Sequence, residues 1–251
     1  SFVFRKNKPM NLQEVLEFRR SVRVYDEAQK IDTQVVKKCL ELSTLAPSSS
    51  NMQLYEFYHV THPETLKKLS VACFDQTAAS TAQELVVFVV RQDLYKKRSQ
   101  AVLQFEKENI RRNSPAERQE KRIKDRELYY GKIMPFLYAR FFGILGFFRK
   151  LIAVPVSFFR PMMLQVSEND ARIVAHKSCG LAAQTFMVAM ANEEYDTCPM
   201  EGFDSKRVKN ILNLPSGSEI NMIISCGKRK GNEGIWGERY RVPFDEVYKK
   251  I

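Results

Sequence analysis

The sequence lacks any pair of cysteines at the short spacing that zinc sites use. Five cysteines are scattered along the chain and odd in number, namely Cys39, Cys73, Cys179, Cys198 and Cys226. This arrangement argues against a structural zinc site and against a disulfide framework. We expect most of these cysteines to be small core residues of a protein in a reducing, cytoplasmic compartment.

Two other motifs are missing. There is no G-x-G-x-x-G sequence, so a separate dinucleotide-binding domain is not expected. Histidine is scarce, with only His59, His62 and His176 present, and no Ser-His-Asp arrangement is indicated. His62 precedes a proline at a predicted helix start and His176 lies within a predicted helix, so we expect structural roles for both. Residues 1–15 also lack the apolar segment of a signal peptide.

Acidic residues are outnumbered by basic ones. The chain has 40 Lys and Arg against 29 Asp and Glu, a formal net charge of +11. Such a balance attracts nucleotides, nucleic acid or an acidic membrane face without choosing among them. No zinc finger or RNP-like aromatic motif is present, so we do not expect nucleic-acid binding.

The apolar pattern predicts an α+β fold, because helices outnumber a few separated strands. The predicted strands are 55–60, 84–91 and 219–227, of which 84–91 is apolar enough to be buried on both faces. The sequence predicts short helices over 11–20 and 205–213 and a helix that is capped by Asp32 and ends near Leu45. A capping box at Thr61–Glu64 predicts a helix that ends at about Ala72. A second capping box, Ser167–Asp170, predicts a long buried helix over 170–193. Residues 196–204 are expected to be a loop and 228–251 a basic, irregular tail.

Three segments carry more chemistry than core packing requires. The first is Arg19-Arg20-Ser21-Val22-Arg23, in which three guanidinium groups and a hydroxyl could bind an anion. The second is Ala46–Gln53, whose hydroxyls, amides and backbone N–H groups could read a polar heterocycle. Taken alone, each segment has a simpler interpretation, the first as a solvated basic face and the second as a polar linker.

The third segment combines Cys198–Asp204 with Arg239-Tyr240-Arg241. Gly202 would let the backbone approach a ligand closely. Alternate residues of an extended chain point the same way, so Arg239 and Arg241 could hold one anion. The other interpretation of this pair is a basic tail.

The order of these segments resembles the FMN-dependent nitroreductase family. The pieces that match are FRRSVRVYD, LAPSSSNMQ, TCPMEGFD and ERYRVP, spread over residues 11–92 and 166–247. The resemblance implies a single nitroreductase-like domain over 1–251, with a central antiparallel or mixed sheet flanked by helices and a long central helix. Residues 93–165 have no counterpart and are expected to be an insertion, with a charged helix followed by a Phe-rich segment.

The resemblance also implies which residues bind FMN, in a homodimer with two shared sites. Arg19, Arg20, Ser21 and Arg23 would hold the phosphate, the ribityl chain and the pyrimidine edge, and Arg239 and Arg241 would complete the phosphate site. Pro47, Ser48, Ser49 and Asn51 would come from the partner subunit. Pro199, Met200, Glu201 and Gly202 would lie along the isoalloxazine, with the backbone N–H of Glu201 or Gly202 near flavin N5. The family often has an amide or lysine where this chain has Asp75 and Gln76, so only Gln76 could supply such a contact.

The implied activity is ping-pong hydride transfer. NADH or NADPH would reduce FMN and leave, and a nitroaromatic, quinone or enone would then be reduced on the same flavin face. No metal is expected. The alternatives are a flavin-binding or flavin-fragmenting protein without NAD(P)H turnover, and a membrane-associated quinone reductase.

The Phe-rich half of the insertion, residues 133–164, has three interpretations. It could be extra subunit packing or a lid over the flavin, a basic amphipathic surface on an anionic membrane, or a site for a partner protein. Its apolar runs are interrupted by Arg140, Arg149, Lys150 and Arg160 and are too short for the about 20 residues that span a bilayer. A membrane-facing insertion would suit a lipophilic quinone.

Overall fold

The computed structural model describes residues 10–251, so the expectation about an N-terminal signal segment falls largely outside the described residues. The strands are β1 (Tyr55–Val60), β2 (Glu84–Val90), β3 (Asp196–Met200) and β4 (Glu219–Gly227). The helices are α1 (Leu12–Phe18), α2 (Thr33–Ser43), α3 (Pro63–Ala72), α4 (Thr77–Ser80), α5 (Tyr95–Asn113), α6 (Ala116–Leu128), α7 (Met134–Tyr138), α8 (Ile144–Ser157), α9 (Glu168–Asn192), α10 (Ser205–Ile211) and α11 (Phe244–Val247).

The four strands form one antiparallel sheet in the order β1-β2-β4-β3. Every residue of β2 is buried, which confirms the prediction of a strand covered on both faces. This is the expected burial for an apolar run in the middle of a sheet with helices on each side. The expected fold class is therefore confirmed, with an antiparallel rather than a mixed sheet.

The helix α9 lies on one face of the sheet and forms the centre of the larger core. Its buried side chains include Cys179, Phe186 and Met190, and Phe186 packs against Phe88 of β2 with ring centroids 5.6 Å apart. On the other face, α3, α4 and α10 cover β2, β3 and β4 around a second core that contains Leu69, Val208 and Ile223. All five cysteines are free thiols and buried, as small core residues should be.

Helix starts were largely predictable from capping residues. The Asp32 carboxylate accepts from the N–H of Gln34 at 2.8 Å, and Ser167 and Asp170 form a reciprocal capping box at the start of α9. The capping box expected at Thr61 does not form. Instead His62 is the N-cap of α3 without a side-chain bond, because Pro63 occupies the first helical position and its missing N–H needs no partner.

Residues 196–204 are not all loop, contrary to the prediction, because 196–200 form strand β3. Pro199 misled the prediction, since proline cannot donate to a sheet ladder. The strand tolerates it because β3 lies at the end of the sheet order and pairs only with β4 among the four strands. Only the turn after Met200 is irregular.

Residues 93–132 are helical and charged, as predicted. Helices α5 and α6 form a hairpin held by ion pairs between Lys107 and Glu127 at 2.6 Å and between Arg126 and Glu106 at 3.4 Å. A π-helical turn over Tyr129–Ile133 then leads into α7. Within residues 10–251, no helix combines the length and apolar content needed to cross a bilayer. That residues 93–165 are an insertion remains a prediction.

A single carboxylate fixes the entry to α8. Glu168, the first residue of α9, accepts from the backbone N–H groups of Phe141 and Gly143 at 3.0 Å each and of Leu145 at 3.2 Å. Burial would raise the pKa of Glu168, but these N–H donors outweigh burial and lower it. The carboxylate therefore stays charged and occupies the N-terminal end of α8, where the helix dipole favours an anion.

A second carboxylate, Glu219 of β4, ties the Phe-rich segment to the core. It pairs with Arg140 at 2.9 Å, with Arg172 of α9, and with His176 at 3.2 Å. Burial alone would raise the pKa of Glu219, but the hydrogen bonds from Arg140, Arg172 and His176 lower it to about 2. His176 thus has a structural partner, as the sequence suggested.

Candidate active site

The arginine-rich segment begins where α1 ends. The predicted helix over 11–20 stops at Phe18, since Arg19 already has an extended backbone with ψ of 114°. Ser21 then lies beside Thr197 of β3, and Tyr25 pairs with Arg229, just after β4. The N–H of Val22 donates to the carbonyl of Thr197 at 3.2 Å, and the N–H of Arg23 donates to the carbonyl of Gly234 at 3.0 Å. The segment is therefore held along the free edge of the sheet.

The tail returns to this same place. The Arg239 guanidinium donates to the carbonyls of Leu16 at 3.0 Å, Glu17 at 2.8 Å and Arg19 at 2.5 Å, which are carbonyls at the open end of α1. Arg20 donates in return to the carbonyl of Gly237 at 2.9 Å. The preceding residue, Trp236, is 95% exposed. The structure thus brings together arginines from opposite ends of the chain.

These arginines repel one another. Burial lowers the pKa of Arg19, and the charges of Arg239 and Arg241 lower it further. Burial likewise lowers the pKa of Arg239, and the charges of Arg241 and Arg20 add to that effect. We call Arg19, Arg20, Arg23, Arg239 and Arg241 the arginine cluster. Within residues 10–251, no ion pair joins any member of the arginine cluster to an Asp or Glu. The cluster therefore has the charge and the donors to bind an anion.

A buried ion pair between Asp196 and Arg229 fixes the end of α1 next to the arginine cluster. The sequence did not predict this pair. Asp196, at the start of β3, is 4% exposed and accepts from the N–H of Arg229 at 2.7 Å and from its Nε at 2.9 Å. The Arg229 guanidinium also donates to the carbonyl of Phe18 at 3.0 Å and stacks on the Phe18 ring, 4.3 Å from its centroid. Nothing in the sequence indicated this pair, because residues 196–204 were expected to be a loop, in which an aspartate needs no buried partner.

A second feature that sequence reasoning missed is the close contact between Tyr25 and Gly227. A Cβ placed on Gly227 would lie 2.6 Å from Cδ1 of the Tyr25 ring, so only glycine fits there. The Tyr25 hydroxyl is buried within 2.8 Å of the Ser225 hydroxyl. The end of the arginine-rich segment is thereby fixed against β4.

The turn that follows β3 is held by Gln76. Its amide Nε2 donates to the carbonyl of Gly202 at 2.8 Å and to the carbonyl of Cys73 at 3.0 Å. The N–H of Asp204 donates to the carbonyl of Ala72 at 2.8 Å. Glu201 and Gly202 are exposed, and Pro199 is half-buried in β3 next to Met200, which is buried. The predicted site residues Gln76 and Gly202 therefore meet, with the amide supporting the turn.

The serine-rich loop lies elsewhere on the chain, against α9 and the π-helical turn. The Ser49 N–H donates to the Ser178 hydroxyl at 3.2 Å, the Gln53 N–H to the Ser48 hydroxyl at 3.2 Å, and the Ser50 hydroxyl is 2.7 Å from that of Tyr129. Ser50, Asn51 and Gln53 have positive φ angles of 51°, 53° and 46°.

Such backbone conformations are unfavourable for residues with side chains, and they persist only where the surrounding contacts hold them. Within residues 10–251, no hydrogen bond joins Pro47, Ser48, Ser49 or Asn51 to the arginine cluster. That these residues reach the flavin from a partner subunit stays a prediction.

An apolar cavity of about 330 Å³ opens beside this loop. Ser49 and Ser50 line one side, and Tyr129 of the π-helical turn and Leu137 and Tyr138 of α7 line another. Val174 of α9 and Met163 close it. Its volume is in the range of small-molecule pockets, and its lining would favour a planar apolar compound over a charged one.

A four-stranded antiparallel sheet with one long buried helix on one face, and with an arginine cluster at its edge, defines a protein of the α+β class. Comparison with known proteins gives the family. The chain belongs to the nitroreductase family, whose model, described as "Nitroreductase family", matches residues 16–228.

Three similar proteins illustrate the match. "Putative NAD(P)H nitroreductase YdgI" of Bacillus subtilis is 25% identical over 96% of this chain and 97% of its own. A "putative NAD(P)H:FMN oxidoreductase" from Staphylococcus epidermidis has the same fold with a TM-score of 0.71, 19% identity and coverage of 99% and 100% of the two chains. A "putative nitroreductase in complex with FMN" from Exiguobacterium sibiricum has a TM-score of 0.66 at 19% identity and covers 98% and 99%. The last two show the fold.

Proposed function

We propose that the protein is an FMN-dependent NAD(P)H oxidoreductase that reduces nitroaromatic, quinone or enone acceptors. The observation that carries this proposal is the arginine cluster, whose five guanidinium groups form no ion pair with a carboxylate within residues 10–251. The names of the similar proteins, which include NAD(P)H and FMN, support the same chemistry. NAD(P)H and the acceptor would use one site in turn, which is a ping-pong scheme.

The residues present suit the phosphate of FMN. A phosphate monoester carries close to two negative charges at neutral pH, and guanidinium groups bind it bidentately. Arg19, Arg20 and Ser21 would hold the phosphate together with Arg241. Arg239 already donates to three carbonyls, so it would contribute mainly charge while fixing the end of α1. Arg23 would lie nearer the ring.

The other predicted residues would hold and orient the ring. Bound FMN supplies the hydride chemistry, so the protein needs no acid–base dyad of its own. Gln76 would keep the turn in place so that the backbone N–H groups of Glu201 and Gly202 face the ligand, with Pro199 and Met200 beside it. Pro47, Ser48, Ser49 and Asn51 would approach from a partner subunit. The apolar cavity next to Ser49 would exclude water from an aromatic acceptor.

The first test is an absorbance spectrum of the purified protein, reconstituted with FMN if necessary. We expect a bound flavin spectrum that NADH or NADPH bleaches without oxygen, and that a quinone or nitroaromatic restores. Steady-state rates at several acceptor concentrations should give parallel double-reciprocal lines. A protein that binds FMN but is not bleached by either nucleotide would instead be a passive flavin binder. Failure to bind FMN at all would refute the whole proposal.

We also propose that the protein is a homodimer, because two apolar surfaces near the arginine cluster are uncovered. Leu12 of α1 is 68% exposed, and in the tail Trp236, Tyr240 and Phe244 are 95%, 76% and 69% exposed. Isolated apolar residues on a surface are ordinary, but a series of them marks an interface. Sedimentation equilibrium should give twice the 29.2 kDa mass of one chain. A monomer at micromolar concentration would contradict this part of the proposal and leave no source for the second half of the site.

A further inference from the structure

Helix α8 exposes its apolar face to solvent, whereas the helices of a globular protein normally bury theirs. The residues it buries are Gly146, Arg149 and Ala153. Its exposed face carries large apolar side chains at helical spacing, among them Phe147, which is 65% exposed, and Ile152, which is 61% exposed. In an ordinary surface helix the apolar stripe faces the core and the charges face water. Here the arrangement is reversed.

The reversed orientation is specified by the contacts of the inner face. A Cβ on Gly146 would lie 2.8 Å from the backbone nitrogen of Glu168, so α8 and the start of α9 approach backbone to backbone. The Arg149 guanidinium donates to the carbonyl of Ala139 at 2.5 Å and lies 5.2 Å from the centre of the Phe136 ring. Rotating the helix would break these contacts and the N–H bonds to Glu168, so the exposed face is a fixed surface.

The exposed face continues at both ends of the helix. We call the whole surface the α8 patch; its members are Phe141, Phe142, Ile144, Phe147, Phe148, Leu151, Ile152, Val154, Phe158, Phe159, Met162, Met163 and Leu164, all at least 41% exposed. Phe142, Phe158 and Phe159 are 92%, 80% and 91% exposed. Water-soluble monomers rarely leave so large an apolar surface uncovered.

Within the segment that carries the α8 patch, the charged residues have one sign. Residues 128–167 contain no Asp or Glu, whereas Lys132, Lys150 and Arg160 are exposed there. In a two-fold dimer formed through this patch, the basic residues of one copy would face a segment of the other copy that is equally basic, which is unfavourable. An anionic lipid surface complements both the apolar face and the cations.

We propose that the α8 patch binds the surface of a membrane that contains anionic lipid, with α8 lying in the plane of the interface. The helix is about 21 Å long, from 14 residues at 1.5 Å each, which suits an interfacial rather than a spanning position. This proposal does not depend on the proposed enzymatic function, and its test needs no activity.

The test is flotation of the full chain with vesicles of phosphatidylcholine alone or with about one third phosphatidylglycerol. We expect the protein to float with the anionic vesicles and to remain behind with the neutral ones. Phe148→Asp should weaken binding at least about tenfold, because it removes an apolar contact and adds a repelled charge. Lys150→Glu should weaken it about fivefold or more.

Two matched variants serve as controls. Phe105 of α5 is 53% exposed, the same as Phe148, so Phe105→Asp tests any exposed Phe outside the patch. Lys67→Glu on α3 makes the same change in net charge as Lys150→Glu. Both controls should float like the unchanged protein, and thermal unfolding of all four variants should show that they fold.

The proposal is overturned if the unchanged protein does not float with anionic vesicles, or if the controls lose binding as much as the patch variants. One result would identify a different occupant. If flotation fails and Phe148→Asp lowers the oligomeric mass measured by sedimentation, the α8 patch instead forms an interface with a second copy of the chain.

Discussion

Replacing Arg19 by alanine should weaken FMN binding about 100-fold while leaving the apoprotein at least as stable as the unchanged protein. Hydrogen bonds to a charged group contribute about 1.5–3 kcal/mol each, and a guanidinium can make two to one phosphate. In the apoprotein, by contrast, Arg19 is half-buried and repelled by Arg239 and Arg241, which lower its pKa after burial does. Removing it relieves that repulsion. The loss of binding and the gain in apoprotein stability therefore have opposite signs.

The measurement is a titration of apoprotein with FMN, followed by quenching of flavin fluorescence, together with thermal unfolding of each apoprotein. Arg118→Ala is the matched control, because Arg118 is an exposed arginine on α6 and its loss changes the net charge equally. Arg19→Lys should be intermediate, since lysine keeps the charge but not the planar pair of donors. The prediction is wrong if FMN affinity stays within about twofold of the unchanged protein, or if Arg118→Ala loses as much.

Asp196→Ala should lower the free energy of unfolding by about 3 kcal/mol, which is the usual cost of removing one partner of a buried ion pair. The Asp196 side chain is 3% exposed, and Arg229, at 24%, would be left with its main partner missing. Because Arg229 also donates to the carbonyl of Phe18, the end of α1 should loosen as well. FMN binding should therefore weaken although Asp196 itself would repel a phosphate.

Urea unfolding monitored by circular dichroism measures the first effect, and the FMN titration measures the second. Glu120→Ala is the comparison, because it removes a carboxylate from the exposed pair with Lys124 and should change the free energy of unfolding far less than Asp196→Ala does. The double variant Asp196→Ala/Arg229→Met should recover part of the lost stability, since no unpaired charge remains. Equal effects of Asp196→Ala and Glu120→Ala would show that the buried pair contributes nothing special.

Much of the fold was predictable because local signals and tertiary packing agree. Strands β1 and β4 have the bounds that the apolar pattern predicts, and the Asp32 and Ser167 caps mark helix starts. Strand β3 was missed because Pro199 and Gly202 are turn signals, and only pairing with β4 makes the segment a strand. Such pairing joins residues far apart in the sequence, which a local pattern cannot show.

The candidate site was predictable only in part, because a local pattern shows single segments and not the contacts between distant ones. The arginines stand out in the sequence, and the structure brings those from both ends together. Their support does not stand out, because Asp196 and Arg229 are 33 residues apart and each is unremarkable alone. The orientation of α8 was not predictable either. Apolar spacing normally identifies the buried face, whereas this helix buries Arg149 and exposes phenylalanine.

The position of Trp236 has an optical consequence. It is the only tryptophan in the chain, so the indole emission of the whole protein comes from one exposed point of the tail, beside the carbonyl that Arg20 holds. Water around that ring gives red-shifted emission, whereas a covering subunit would shift the emission to the blue, and a flavin nearby would quench it. The chain therefore carries its own unlabelled probe for the meeting of its tail with a ligand or a second subunit.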